Sequence, residues 1–198
     1  MIRDVSWIGA TIVGLVVTGF VFHFPGSFGE LPAWDMSAFI FGAILGGISG
    51  VLVGLIQWAA LLLPQRSGGR LLMTMALGIG VTHAVNDGGP TSVGLLGVST
   101  LSGLAMLVGF AGPLGERRPV ALATCLVAWT GGLLLAEQVT KALGMPFSED
   151  PLGWATRHAV DGLVVGLVWG IATAAVGLPL ALKARRDEAV TGTPLAGS

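Results

Sequence analysis

Residues 39–63 read FIFGAILGGISGVLVGLIQWAALLL, an apolar run that contains no charged side chain. About 20 apolar residues in a helix cross the hydrocarbon core of a bilayer. Lipid supplies little hydrophobic force between helices, so small residues are what allow helix backbones to approach closely. The run therefore predicts a membrane-spanning helix that packs through one flat, glycine-lined face. The predicted packing glycines are Gly42, Gly46, Gly50 and Gly54 in this run, and Gly162, Gly166 and Gly170 near the C-terminus.

The composition of the whole chain is that of an integral membrane protein. Of its 198 residues 53% are hydrophobic, only 11% are charged and 32 are glycine, and glycine averages about 7% in proteins. A soluble fold of this size could not bury so much apolar surface, so the expected solvent is the lipid bilayer. A net charge of −1, with no basic stripe, predicts no nucleic-acid partner. No cofactor motif is evident either.

Six apolar segments predict an all-α, six-span transmembrane bundle. Lys and Arg decide its orientation, because eight of the ten fall on one side of a six-span arrangement and only Lys141 and Arg157 fall on the other. The positive-inside rule then places both termini in the cytoplasm. The transmembrane domain covers residues 1–182, and residues 183–198 form a flexible cytoplasmic tail. The expected spans are residues 5–22, 38–63, 71–85, 93–114, 120–136 and 159–182.

An internal repeat relates three of the spans. Residues 48–58 align without gaps on residues 160–170, and a weaker copy begins at residues 101–104. Spans two, four and six run in the same direction, and short cationic turns follow the first two. We predict parallel repeats of helical hairpins, an arrangement known in some transporters, with span one as an addition. Spans two and six are expected to pack through their glycine faces.

The pattern Gly-x-x-x-Gly-x-x-Gln-Trp, at residues 50–58, is followed by a short Arg-containing turn. It resembles uncharacterised small bacterial polytopic membrane proteins built from such helical hairpins. The similarity covers residues 42–80, with an eroded copy at residues 97–138 that lacks Gln-Trp. The resemblance implies a multi-pass protein of the bacterial cytoplasmic membrane, and it implies no activity.

Histidines and carboxylates lie at the outer ends of the predicted spans. His83 precedes Asp87 by four residues, and His158 precedes Asp161 by three, spacings that share a helix face. If spans three and six are neighbours, these four residues could bind a divalent metal, relay protons or hold a polar group of a substrate. A haem held by the two histidines is another alternative. Asp161 could instead simply favour the helix dipole in the first turn of span six.

Gln57 is a polar residue expected inside span two. A glutamine at such a position can hydrogen-bond to a neighbouring helix, an interaction worth about 0.6 kcal/mol on average in membranes. Its functional alternative is a polar station in a substrate path.

The tetrapeptide Gly47-Ile48-Ser49-Gly50 resembles the nucleophile motif of rhomboid intramembrane proteases. The resemblance implies Ser49 as nucleophile and His158 as base, which need a separation of about 3 Å. Depth argues against this pair, because Ser49 is expected about 16 Å inside its span and His158 at the surface. The order of the serine and histidine spans also differs from the rhomboid order.

The absence of a complete catalytic constellation, and of an acid or base deeper than the helix ends, favours a non-enzymatic protein. The leading expectation is a structural or accessory membrane component, with the lipid bilayer and a homo-oligomer or larger membrane complex as partners. The alternative is a solute or ion transporter, or a substrate-binding component, with a His/Asp mouth on the outer face. The second alternative is an intramembrane serine protease.

Overall fold

The computed structural model describes residues 2–22, 34–63, 65–88, 94–111, 118–145 and 150–179. Within these residues the chain is all-helical, which confirms the predicted class. The predicted tail, residues 183–198, lies outside the described residues. The helices are α1 (Ile2–Phe22), α2 (Met36–Leu61), α3 (Gln65–Gly88), α4 (Gly94–Ala111), α5 (Pro119–Ala142) and α6 (Pro151–Ala175).

Four of these helices, α1, α2, α5 and α6, are long and apolar enough to cross a membrane. Helix α4 is also apolar, but the part of it whose side chains are described, Leu96–Ala111, is shorter than the four long helices. Helix α3 is longer than the 15-residue span expected for it, because it includes the polar residues at both of its ends. The length and composition of the helices therefore indicate a membrane protein.

Helix α6 begins eight residues earlier than expected from hydropathy. Pro151 occupies its first turn, where the missing N–H costs nothing, and the Asp150 side chain accepts a hydrogen bond of 2.8 Å from the Gly153 N–H. Helix α5 likewise continues beyond residue 136, to Ala142. As a result Glu137 and Arg157, expected at a span end and in a loop, both lie inside helices.

The six helices form a closed ring in sequence order. Each helix packs against the helices before and after it in the sequence, and α6 closes the ring against α1. Neighbours run antiparallel, so the C-terminal ends of α1, α3 and α5 meet the N-terminal ends of α2, α4 and α6. We call this end of the ring the polar end, because Glu137, Arg157 and His158 lie near it.

The glycine face of α2 packs against α3. A Cβ atom added to Gly42 would lie 2.7 Å from the His83 carbonyl oxygen, and one added to Gly46 would lie 2.6 Å from the Ile79 carbonyl oxygen. A Cβ atom on Gly50 would overlap a carbonyl group in the middle of α3. These distances leave no room for any side chain along this contact.

The glycine face of α6 packs against α1. A Cβ atom on Gly162 would overlap the Leu15 carbonyl group, and one on Gly166 would lie 2.8 Å from the Ile12 Cα atom. The glycine faces of spans two and six therefore both pack closely, but not against each other. Each face is in close contact, but with the helix beside it in the ring.

Aromatic side chains fill the interior of the ring toward the end opposite the polar end. The Trp169 ring of α6 lies 5.6 Å from Trp7 of α1, 5.7 Å from Phe110 of α4 and 5.7 Å from Trp129 of α5, measured between centroids. Trp169 therefore meets helices on both sides of the ring. We call these four residues the aromatic plug.

Candidate functional site

A buried ion pair joins α5 to α6 at the polar end. The Arg157 Nη2 atom lies 2.8 Å from the Glu137 Oε2 atom, and the Arg157 side chain is 3% exposed. Arg157 Nη1 also donates to the Met145 carbonyl, just beyond α5. The other Glu137 oxygen lies 3.1 Å from the Nζ atom of Lys141, which is exposed. Both buried charges are thus compensated inside the protein.

The sequence did not predict this pair, because hydropathy placed Arg157 in an outer loop. The signal that could have found it is the Asp150-Pro151 pair, a helix-start signature seven residues before Arg157.

A histidine and an aspartate lie together within α6. His158 Nδ1 is 3.6 Å from Asp161 Oδ2, and both side chains are buried. The Trp154 ring lies edge-on against His158, with 4.6 Å between centroids. Asp161 is ten residues beyond Pro151, about 15 Å along the helix axis. The expectation that no acid lies deeper than the helix ends is therefore wrong, and so is the placement of Asp161 in the first helical turn.

His83 and Asp87 lie on α3 and face α2. A Cβ atom on Gly46 would lie 2.8 Å from His83 Cδ2, and one on Gly42 would lie 2.8 Å from Asp87 Oδ2. The Asn86 amide donates to Asp87 Oδ1 at 2.9 Å. The glycine face of α2 thus makes room for both side chains.

The four residues predicted as a metal site belong to two separate pairs. Helices α3 and α6 lie on opposite sides of the ring, so the condition for a shared site, that these two spans are neighbours, is not met. Among the described residues, no group of three or more His, Cys, Asp or Glu side chains could hold a metal ion. Neither the metal site nor the two-histidine haem is therefore part of the proposals below.

The start of α2 is fastened to the end of α3 at the polar end. The Asp35 N–H donates to the Gly88 carbonyl at 2.9 Å. The Asp35 carboxylate caps α2 by accepting hydrogen bonds from the Ser37 hydroxyl and from the Ser37 and Ala38 N–H groups. These bonds, that of the Ser37 hydroxyl first, lower the pKa of Asp35 below its ordinary value. Asp35 is therefore a charged helix cap near neutral pH.

Three small polar residues occupy aligned positions in α2, α4 and α6: Ser49, Ser102 and Asp161, which we call the polar layer. All three are buried. The Ser102 hydroxyl shares a hydrogen bond with Thr82 of α3 and accepts one from Trp129 of α5. Since these partners lie on the helices to either side, Ser102 points into the ring.

The glycine after each member of the polar layer contacts the next helix of the ring. Gly50 is against Met75 of α3, and Gly162 is against Leu15 of α1. A Cβ atom on Gly103 would lie 3.0 Å from the carbonyl oxygen of residue 126, on α5.

Along α2, α4 and α6, the buried side chains become bulkier from the polar layer toward the end of the ring that lies opposite the polar end. One helical turn onward lie Val53, Met106 and Val165, and a second turn onward lie Gln57, Phe110 and Trp169, all of them buried. The interior of the ring thus changes from small polar groups near the polar end to the aromatic plug.

Ser49 does not make the contact that a serine protease needs. Its Oγ atom has no hydrogen-bond partner in the part of the chain that the structure describes. Helix α2 packs between α1 and α3, and α6 packs between α5 and α1. The Ser49–His158 hydrogen bond implied by the rhomboid resemblance is therefore not formed.

Gln57 makes the interhelical hydrogen bond expected from its position. Its Nε2 atom donates to Thr11 Oγ1 of α1 at 2.9 Å, and Thr11 donates to the Trp7 carbonyl at 2.8 Å. Trp7 Nε1 in turn donates to Thr173 Oγ1 of α6 at 2.8 Å. This chain of hydrogen bonds joins α2, α1 and α6 beside the aromatic plug.

We expect Gln57→Leu to lower the free energy of unfolding by about 0.6 kcal/mol, the average for one such hydrogen bond in a membrane protein. The loss is small because Thr11 keeps its bond to the Trp7 carbonyl. Reversible unfolding in mixed micelles measures it, with Thr11→Val as the matched variant. A loss above about 2 kcal/mol would contradict the assignment of a single hydrogen bond to Gln57.

Comparison with known proteins finds no family model, no curated protein and no solved structure that matches this chain. The function is therefore inferred from the geometry of the chain itself.

Proposed function

We propose that this protein crosses the bacterial cytoplasmic membrane six times, with both termini in the cytoplasm, and binds a small polar or ionic solute inside its ring of helices. Four helices with the length and composition of membrane spans support the location. Helices α3 and α4 complete the same closed ring, which supports counting them as spans too. The distribution of Lys and Arg supports the orientation and puts the polar end on the outer side.

The observation that carries the proposed function is the state of Asp161. Its side chain is 4% exposed, and its ionic contact is with a histidine at 3.6 Å, which is charged only if protonated. Ionisable residues within membrane spans are costly, face the interior of the bundle and mark substrate or ion pathways. Glu137 and Arg157 compensate each other and so need no such explanation. Asp161 is better explained by a solute than by stability.

The change in side-chain size along the ring supports binding from the outer side. The polar layer consists of small residues, whereas Phe110 and Trp169 of the aromatic plug lie two helical turns further in. A solute in the polar layer would therefore be separated from the cytoplasm by the plug. This arrangement fits a transporter or substrate-binding component held in its inwardly closed state.

We also infer that the ring consists of three repeated helix pairs: α2–α3, α4–α5 and α6–α1. Aligned glycines of α2 and α6 make corresponding contacts: Gly54 is against Leu72, and its counterpart Gly166 is against Ile12. This pairing makes α1 the partner of α6 rather than an addition to the repeats. It also accounts for the matching positions of the three polar-layer residues.

Solute flux into proteoliposomes tests the proposal. Purified protein is reconstituted, and light scattering follows recovery of volume after a step in potassium chloride, ammonium chloride or glycerol concentration. We expect faster recovery than in empty vesicles for at least one solute, and at least a tenfold lower rate for Asp161→Asn, because the charged polar-layer group is gone.

Asp150→Asn is the matched control, since it makes the same chemical change at the exposed start of the same helix, where asparagine caps as well as aspartate. Its flux should equal that of the parent protein. Equal flux for Asp161→Asn would refute the proposal and leave the accessory role expected from the sequence. No flux for any of the three solutes would count against transport.

A further inference from the structure

Five buried oxygen atoms in the polar-end half of the ring have no hydrogen-bond partner among the described residues. They are Ser49 Oγ, Asn86 Oδ1, Ser99 Oγ, Asp161 Oδ1 and Asp161 Oδ2. Native proteins leave few buried polar atoms unsatisfied, and a group of them asks for an explanation such as a bound ion. Gln57 Oε1 and Trp169 Nε1, which also lack a hydrogen-bond partner among the described residues, lie two helical turns away, beside the aromatic plug.

These oxygens belong to two adjacent levels of the ring. Ser49 and Asp161 are members of the polar layer. Ser99 lies one helical turn from Ser102 toward the polar end, and Asn86 lies one turn from Thr82, the hydrogen-bond partner of Ser102. The atoms come from four helices of the ring, α2, α3, α4 and α6.

Of the three residues of the polar layer only Asp161 carries a charge, and His158 Nδ1 at 3.6 Å is too far for a normal hydrogen bond to its carboxylate. The carboxylate next to Asn86, that of Asp87 on α3, accepts a hydrogen bond from the Asn86 amide. From α5, Glu137 and Lys141 face each other, and Glu137 also holds Arg157. From α1, the described half that packs near Asp161 carries no charged side chain. A single positive charge would neutralise Asp161.

We propose that the polar layer binds one monovalent cation, an alkali-metal ion or ammonium, through Asp161 and the neighbouring oxygens. Hard cations take oxygen ligands, and carboxylate, amide and hydroxyl oxygens are what these two levels present. A divalent ion would leave an uncompensated charge in a medium of low dielectric constant. This inference rests on the proposed function, because it names the class of solute that the ring holds.

Cation-dependent thermal unfolding of the full-length protein in detergent tests the inference. Sodium, potassium, rubidium or ammonium chloride replaces choline chloride at constant ionic strength, since the methyl groups of choline keep its charge away from oxygen ligands. We expect one or more of these cations to raise the unfolding temperature in a saturable way, and the order of the four salts separates alkali-metal ions from ammonium. Binding of radioactive sodium and rubidium then gives the stoichiometry, expected to be one ion per chain.

Asp161→Asn should weaken the apparent cation affinity at least tenfold, Ser49→Ala several-fold, and Asp150→Asn not at all. If Asp161→Asn does not fold, Ser49→Ala and Ser99→Ala carry the test, because each removes one small hydroxyl group.

Identical unfolding curves for all chloride salts would overturn the inference, even if glycerol flux upheld the proposed function. Saturable stabilisation by lowered pH alone would overturn it too, since a proton would then be the occupant. Cation binding without flux would support it and count against transport.

Discussion

Glu137→Leu by itself is expected to lower the free energy of unfolding by about 3–5 kcal/mol, because it leaves a buried charge without its partner. The Arg157 guanidinium would lose the carboxylate at 2.8 Å and keep its bond to the Met145 carbonyl. That carbonyl carries no formal charge and cannot replace the carboxylate.

The opposite substitution, Arg157→Met, should cost less than Glu137→Leu. Glu137 would retain Lys141, whose Nζ atom is already 3.1 Å from Oε1 and whose exposed side chain is free to adjust. The double variant, with both residues apolar, should recover most of the stability, since replacing a whole buried ion pair by apolar residues is often neutral or stabilising.

Unfolding of the purified protein in mixed micelles measures all three variants, with Lys141→Ala as the control for an exposed pair, expected to cost less than about 1 kcal/mol. If Arg157→Met costs as much as Glu137→Leu, or if the double variant is as unstable as the sum of the two, the ion pair is not what holds α5 to α6.

Gly50→Leu is expected to prevent assembly of the α2–α3 contact and to leave little folded protein. Even a Cβ atom at this position would overlap the Met75 carbonyl group, which belongs to a helix backbone and cannot rotate away. Overpacking within a core costs about 1–3 kcal/mol when side chains can adjust, and this contact gives them no such freedom. Gly166→Leu should have a similar effect on the α6–α1 contact, because its Cβ atom would meet the Ile12 backbone at 2.8 Å.

Gly47 provides the matched control on the same helix. An added Cβ atom there has nothing within 4 Å, so Gly47→Ala should be neutral or stabilise α2 by about 0.5–1 kcal/mol through helix propensity. Gly50→Ala and Gly47→Ala therefore make the same chemical change with opposite expected signs. Leu52→Ile and Leu163→Ile control for changes in side-chain shape away from the glycine faces. The measurements are the yield of monodisperse protein after detergent extraction and its unfolding temperature. Equal stability of the two alanine variants would contradict the close packing of α2 on α3.

The sequence by itself determined the helical class and the approximate position of each helix. Uncharged runs such as residues 39–63 satisfy their backbone hydrogen bonds locally in a helix, so hydropathy is enough to locate them. It also identified the glycine faces and Gln57, because side-chain spacing on a helix is a local property. It placed His158 and Asp161 on one face of one helix for the same reason.

Only the tertiary structure decided which surfaces meet. A glycine face is compatible with any smooth partner, so the pattern of Gly50 and Gly166 could not show that α2 chooses α3 and that α6 chooses α1. The sequence could not separate His83 from His158 either, since their distance depends on the order of helices around the ring. Hydropathy excluded Arg157 from α6 because a hydropathy scale penalises every charged residue, whether or not the residue has an ionic partner. The partner of Arg157 is Glu137, which lies 20 residues earlier on another helix. The burial of Asp161 also depends on packing between helices that are distant in the sequence, so only the tertiary structure could identify the candidate site.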